Sequence, residues 1–107
     1  MAERVDIHLL GRFEVCVDGR PVTEADWGRR RPMELVQLLA LAPGHALLRD
    51  QVIESLWPHL DPDAGAANLR KAAHHARRVL GDVDAIALRG GRVQLFPVAS
   101  VRTDVDR

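Results

Sequence analysis

The 107 residues suffice for one domain and leave no room for two. With 47% apolar residues and no low-complexity run, the composition is that of a globular protein able to fold without metal or disulfide staples. Fifteen basic residues balance fifteen acidic ones, and a net charge of zero argues against a nucleic-acid binder unless the charge is unevenly spread. The one cysteine, Cys16, cannot form an internal disulfide, which fits a reducing cytosol. Met1 to Asp6 is charged with no apolar run behind it, so no signal peptide is expected. No apolar stretch reaches the roughly 18 residues of a membrane span, and a soluble, cytoplasmic chain with no membrane partner is expected.

Strands come first. Val5, Ile7 and Leu9 alternate, as do Phe13, Val15 and Val17, and Asp18-Gly19 supplies the turn. Arg20-Pro21-Val22 returns as an edge strand, where proline is tolerated, giving an antiparallel meander of three or four strands. The period then changes. Pro32 suits a first helical position, Leu35, Leu38, Leu39 and Ala42 follow at helical spacing, and Pro43-Gly44 stops the run. A brief extended stretch, Ala46 to Leu48, precedes a second helix capped by Asp50, with Val52, Ile53 and Leu56 inward and Pro58 ending it. Asp61 as N-cap, Pro62 at the first position and Gly81 just past the end bound a third helix. Ile86 and Leu88, then Val93 and Leu95, alternate on either side of Gly90-Gly91, a hairpin with a two-residue turn.

The order is an N-terminal sheet over 1–30, a three-helix core over 31–81 and a hairpin over 84–97, with no internal repeat or linker. Three helices followed by a hairpin with arginines at its tip predict an α+β fold of the winged helix-turn-helix type, a single domain over 1–107.

The charge is indeed uneven. From Ala64 to Leu80 there are Arg70, Lys71, Arg77 and Arg78, two histidines and no acid; from Ala85 to Thr103 there are Arg89, Arg92 and Arg102, again with no acid; Arg29, Arg30 and Arg31 form a third cluster. All but one of the fifteen basic residues are arginine, a bias that suits phosphate and guanine and that a GC-rich genome would also produce. On a helical wheel Leu69, Ala72, Ala73, Ala76, Val79 and Leu80 gather on one side and Arg70, Lys71, His74 and Arg78 on the other. Asn68 and His75 lie at one edge and Arg77 at the other. A face of donors and cations suits a major groove lined with acceptors and flanked by phosphates. The plain alternative is a solvated basic surface, but a merely soluble helix mixes signs to gain i,i+4 pairs, and Ala64 to Leu80 does not. Arg89 and Arg92 flank the hairpin turn; isolated, such residues are ordinary surface, but after a basic helix they take the place of a wing on an adjacent minor groove or phosphates. The glycines serve the turn and are no phosphate cradle.

Taken in order, LLGRFEVCVDGRPV, RRRPMELVQLLALAPG, LLRDQVIESLWP, DPDAGAANLRKAAHHARRVLG and IALRGGRVQL resemble the OmpR/PhoB-type winged helix. More narrowly they resemble the N-terminal DNA-binding domain of the SARP family (Streptomyces antibiotic regulatory proteins) and related bacterial activators, over about Ile7 to Val105. The resemblance implies sequence-specific binding of double-stranded DNA in transcription regulation, with Ala64 to Leu80 as recognition helix. It also implies tandem, head-to-tail binding at direct repeats and activation by contact with RNA polymerase; the sequence itself, with no coiled-coil heptads, one cysteine and apolar faces committed to one core, predicts a monomer when free. On that match Asn68, Arg70, Lys71, His74 and His75 take base- and phosphate-facing positions, with Arg77 near the backbone, while Arg49 and Trp57 match positions set against phosphate. Two departures bear on the sequence preferred: Arg92-Val93 stands where an aromatic often follows the wing glycines, and His74-His75 where a small polar and a basic residue are commoner. The tail VRTDVDR resembles the junction before a further domain, so the chain reads as excised from a longer regulator.

The rival readings are thinner. His74 and His75 are adjacent, point about 100° apart on a helix and cannot share an ion as an i,i+4 pair would. His8, His45 and His59 have no close cysteine or carboxylate constellation, so no metal and no cofactor are expected. No nucleophile motif or phosphate loop is present, the only serines are Ser55 and Ser100, and Cys16 reads as a packing or surface residue, so no enzyme is expected. Trp27 and Trp57 read as anchors between layers. RNA binding lacks an aromatic stacking platform. The serious rival is a winged-helix protein-interaction module for RNA polymerase or a partner domain, which would not require an acid-free helix and wing.

Overall fold

The computed structural model describes residues 2–105; Met1 and the last two residues of the VRTDVDR tail lie outside them. The fold is α+β, with four helices and two small sheets around one apolar core. Strands β1 (Arg4–His8), β2 (Glu14–Val17) and β3 (Arg20–Thr23) form the expected meander. Val5, Ile7, Val15, Val17 and Val22 are its buried face, as the period of two requires. Asp18 and Gly19 turn the chain with φ of 50° and 85°, the left-handed pair a tight hairpin needs.

The first sheet is not all antiparallel. Its order is β3-β2-β1-β7, and the seventh strand, β7 (Ser100–Thr103), pairs parallel to β1 with Val5 opposite Val101. Ser100–Thr103 therefore belongs to the first sheet, a correction to the plain meander.

Two carboxylates fasten this sheet. Asp18 accepts the amides of Arg4 (2.8 Å) and Glu3 (3.0 Å), and Asp104 accepts those of Leu9 (2.8 Å) and Leu10 (3.1 Å). The Arg4 amide, then the Glu3 amide, hold the Asp18 carboxyl below the usual carboxylate range. The Leu9 amide, with Leu10 and His8 adding, does the same to Asp104 against an opposing burial effect. A carboxyl depressed in the folded state contributes stability above its unfolded pKa, near 3.9, and that stability is lost as the pH falls through the folded value. Asp18→Asn and Asp104→Asn are accordingly expected to lower the thermal midpoint at neutral pH, with the difference from the parent vanishing in strong acid. A difference that persisted unchanged into strong acid would assign it to packing.

A short helix not anticipated from the pattern, α1 (Glu24–Trp27), follows β3. Asp26 accepts the Thr23 amide at 2.8 Å, and Gly28 ends the helix in the left-handed conformation. Helix α2 (Arg30–Leu41) starts two residues before Pro32, and its buried face is Leu35, Val36, Leu39 and Ala40; Leu38 is only half-buried. Leu35, Leu39 and Ala42 of the expected stripe are buried, while Val36 takes the inward place expected of Leu38. Pro43 opens the 3-10 turn that halts the chain, and β4 (Ala46–Leu48) follows. Helix α3 (Arg49–Leu56) begins before Asp50, which lies in its first turn; Leu48 is the cap residue, and the Gln51 side chain accepts its amide at 3.0 Å.

Helix α4 (Pro62–Leu80) has the caps its sequence announces. Asp61 Oδ1 accepts the Ala64 amide at 2.8 Å, Pro62 is the first residue, and Gly81 is left-handed at the far end. Arg20 reaches across from β3 to donate to the Leu80 carbonyl at 2.6 Å, a cation at the negative helix end. Strands β5 (Ile86–Arg89) and β6 (Arg92–Leu95) form the terminal hairpin, and β4 adds to its β6 edge, so the second sheet has three strands, β4-β6-β5.

Gly65 sets the approach of α3 to α4. A Cβ built there would lie 2.5 Å from Ile53 Cγ2, closer than atoms tolerate. Helix propensity alone would make Gly65→Ala stabilising by about 1 kcal/mol. Overpacking of a β-branched neighbour wins, and a net loss of about 1–3 kcal/mol is expected in denaturant unfolding. The loss should shrink in an Ile53→Ala background, which removes the colliding methyl; equal losses in both backgrounds would refute the contact.

Candidate nucleic-acid interface

The cap at Asp61 fixes the phase of α4, and the apolar side of the helix then decides the rest. Gly65, Ala66, Leu69, Ala72, Ala73, Ala76 and Leu80 are buried against the core. Small residues let α4 lie close to its neighbours, and the opposite side is left to solvent. Arg70, Lys71, His74 and Arg78 are all exposed there. Because Arg70, His74 and Arg78 are four residues apart, they form one row of donors along the helix. The helix begins two residues before Ala64, so it carries one acid, Asp63, in its first turn, where the helix dipole favours it. The acid-free reading holds for Ala64 to Leu80 and not for the whole helix.

The edge residues are engaged within the fold. Asn68 donates from Nδ2 to the Ala64 carbonyl (2.9 Å) and is half-buried. His75 Nε2 lies 2.8 Å from the Trp27 carbonyl; a carbonyl only accepts, so Nε2 carries the hydrogen. Arg77 donates from Nε to the Ile86 carbonyl at 2.9 Å, tying α4 to β5. His75 and Arg77 tie the helix to its neighbours, Asn68 bonds back within the helix, and the exposed row presents the chemistry.

The hairpin tip brings two cations together. Gly90 and Gly91 have φ of 59° and 75°, a left-handed pair that glycine adopts without strain, and Arg89 and Arg92 are directly opposed in the register. Like charges facing each other across strands cost stability, and both arginines are exposed. The Arg49 amide donates to the Gly91 carbonyl at 2.8 Å, so the start of α3, with the exposed Arg49, sits against this turn. The backbone of Arg49 is thus joined to the turn that carries Arg89 and Arg92. Trp57, at the end of α3, is only 6% exposed, and its edge reaches the grooves on both sides of α4.

One of these grooves, of about 280 Å³, joins two clusters that are far apart in sequence: Arg29, Arg30 and Arg31 from the start of α2 face Lys71 and His75 of α4 over a floor of Pro32, Trp57 and Ala72. Arg30 and Arg31 both pair with Glu34, at 3.2 Å in the first case, which leaves three guanidinium groups against one carboxylate. Arg29 was not singled out from sequence as a site residue; three arginines before a helix were the available signal. The other groove, between α3 and α4, is of mixed sign, with Arg49 beside Asp50, Glu54 and Asp63.

Elsewhere the structure corrects the isolation of His8, which lies across from Glu14 and close to Cys16. Both tryptophans are buried, Trp27 with its ring centroid 6.3 Å from that of Phe13. No helix among the described residues is long and apolar enough to cross a membrane. Comparison of the chain with protein-family models, curated proteins and solved structures finds no match.

Proposed function

We propose that the chain is a winged-helix domain that binds duplex DNA in a sequence-specific manner, with α4 in the major groove and the β5–β6 hairpin on an adjacent minor groove or phosphates. The observation that carries this reading is the exposed side of α4, where Arg70, Lys71, His74 and Arg78 stand with no acid from Ala64 onward. Major-groove edges offer N7, O6 and O4 acceptors, and this side offers donors of matching kind. The like-charged pair Arg89 and Arg92, costly without an anion between or beside them, supports a wing. The SARP-type resemblance adds the biological setting: a cytoplasmic bacterial activator that binds direct repeats head-to-tail and contacts RNA polymerase. Free, the domain is a monomer.

Selection of bound sequences from random duplexes tests the reading, with direct repeats spaced about one helical turn, 10–11 base pairs, as the expected outcome. On the selected site Lys71→Ala and His74→Ala should each cost about 1–3 kcal/mol, and less on random duplex. Arg92→Ala should weaken both by similar factors. His75→Ala is expected to act on folding instead, by about 1 kcal/mol, because its ring bonds the Trp27 carbonyl. No enriched sequence together with no binding at low salt would favour the protein-interaction module.

A further inference from the structure

The outward face of the first sheet carries a second constellation, independent of the DNA reading. With Val5 and Ile7 of β1 and Val15 and Val17 of β2 buried, the alternate residues Asp6, His8, Glu14 and Cys16 share the other face. His8 is directly opposite Glu14, Asp6 is directly opposite Cys16, and Glu14 and Cys16 are two apart on one strand. One ligand atom from each of His8, Glu14 and Cys16 lies within 4.8 Å of the others.

We propose that His8, Glu14 and Cys16 bind a divalent transition-metal ion of the zinc class. In a tetrahedral zinc site the bond lengths to sulfur, nitrogen and oxygen place neighbouring donors about 3.3–3.8 Å apart. Cys16 Sγ and Glu14 Oε2 are already 3.5 Å apart, and a small rotation of side chains on a half-exposed face brings in His8. A thiolate, an imidazole and a carboxylate select such an ion over magnesium or calcium, whose sites are built from oxygen. Three protein ligands leave the fourth place to water.

The surroundings support the same reading. Asp104 Oδ2 lies 3.9 Å from His8 Nδ1, and its two oxygens are held by the Leu9 and Leu10 amides. At 3.9 Å this is no hydrogen bond, but the carboxylate places negative charge beside the imidazole, which favours a bound cation. Without metal the Cys16 thiol donates to Glu14 Oε2. Binding breaks that S–H bond, forms the sulfur–metal bond and sends the proton to solvent, with no change of oxidation state. The ion then links β1 and β2, and Asp104, just beyond β7, lies behind its histidine ligand.

Cobalt(II) titration of the untagged chain tests this. One equivalent should produce a thiolate-to-cobalt charge-transfer band with the visible bands of four-coordinate cobalt, and zinc should abolish both. Cys16→Ser should remove the charge-transfer band, His8→Gln and Glu14→Gln should weaken zinc binding at least about tenfold, Asp104→Asn by less than either, and His59→Ala should leave it unchanged. In the unaltered chain zinc should slow reaction of the sole cysteine with a thiol reagent about tenfold or more, a readout that needs no variant. Absence of the band, no protection of Cys16, or binding unaffected by His8→Gln and Glu14→Gln overturns the site.

Discussion

Affinity for duplex DNA is expected to fall about 500-fold between about 50 and 200 mM salt, from a log–log slope near −4.5 if roughly five phosphates are neutralised. Six exposed cations on the proposed surface supply them: Arg49, Arg70, Lys71, Arg78, Arg89 and Arg92. Arg77 is left out because it is half-buried and its Nε donates to the Ile86 carbonyl. Replacing Arg89 and Arg92 together by alanine should make the slope shallower by about 1.8, close to two released counterions. The same change should leave the thermal midpoint level or raise it, since it removes two like charges placed opposite each other. Binding isotherms on one random duplex at several salt concentrations, with parallel melting curves, read both quantities. A slope near zero in the parent domain would end the DNA proposal. An unchanged slope in the double variant would leave DNA binding intact and remove the hairpin from it.

Trp27→Ala is expected to cost about 3–5 kcal/mol, a large share of the 5–15 kcal/mol that holds a typical domain folded. Trp27 is 2% exposed, and the four-residue helix that carries it touches β3, α2 and α4, so it joins the first sheet to the helical layer. Truncation leaves a cavity beside Phe13 and frees the segment whose carbonyl holds His75. Urea unfolding followed through the remaining Trp57 measures the loss. Trp27→Phe, which keeps a ring in the same place, should cost distinctly less. If Trp27→Ala cost under about 1 kcal/mol, the layers would have to be held together elsewhere.

Local signals and long-range placement divide this protein cleanly. The bounds of α4 follow from Asp61, Pro62 and Gly81, each of which satisfies or terminates the backbone within four residues of itself. The turn at Gly90-Gly91 follows in the same way from a backbone conformation that favours glycine. The strand pairs of the first sheet were legible because burying one face imposes a period of two, and the exposed row of α4 because burying one side imposes the other. The start of α3 was misplaced because Asp50 is a good cap residue in isolation, whereas Gln51 supplies the bond that caps the helix from inside. Tertiary structure alone decided that Ser100–Thr103 lies parallel to Arg4–His8, some ninety residues away, and that Ala46–Leu48 completes the hairpin sheet. It alone also set Arg29 beside Lys71, and His8 beside Glu14 and Cys16. The physical reason is common to all four. Caps and turns are settled by bonds a few residues long, whereas which strand edge or helix groove a distant segment meets depends on the shape of the assembled core, and no local pattern encodes that shape.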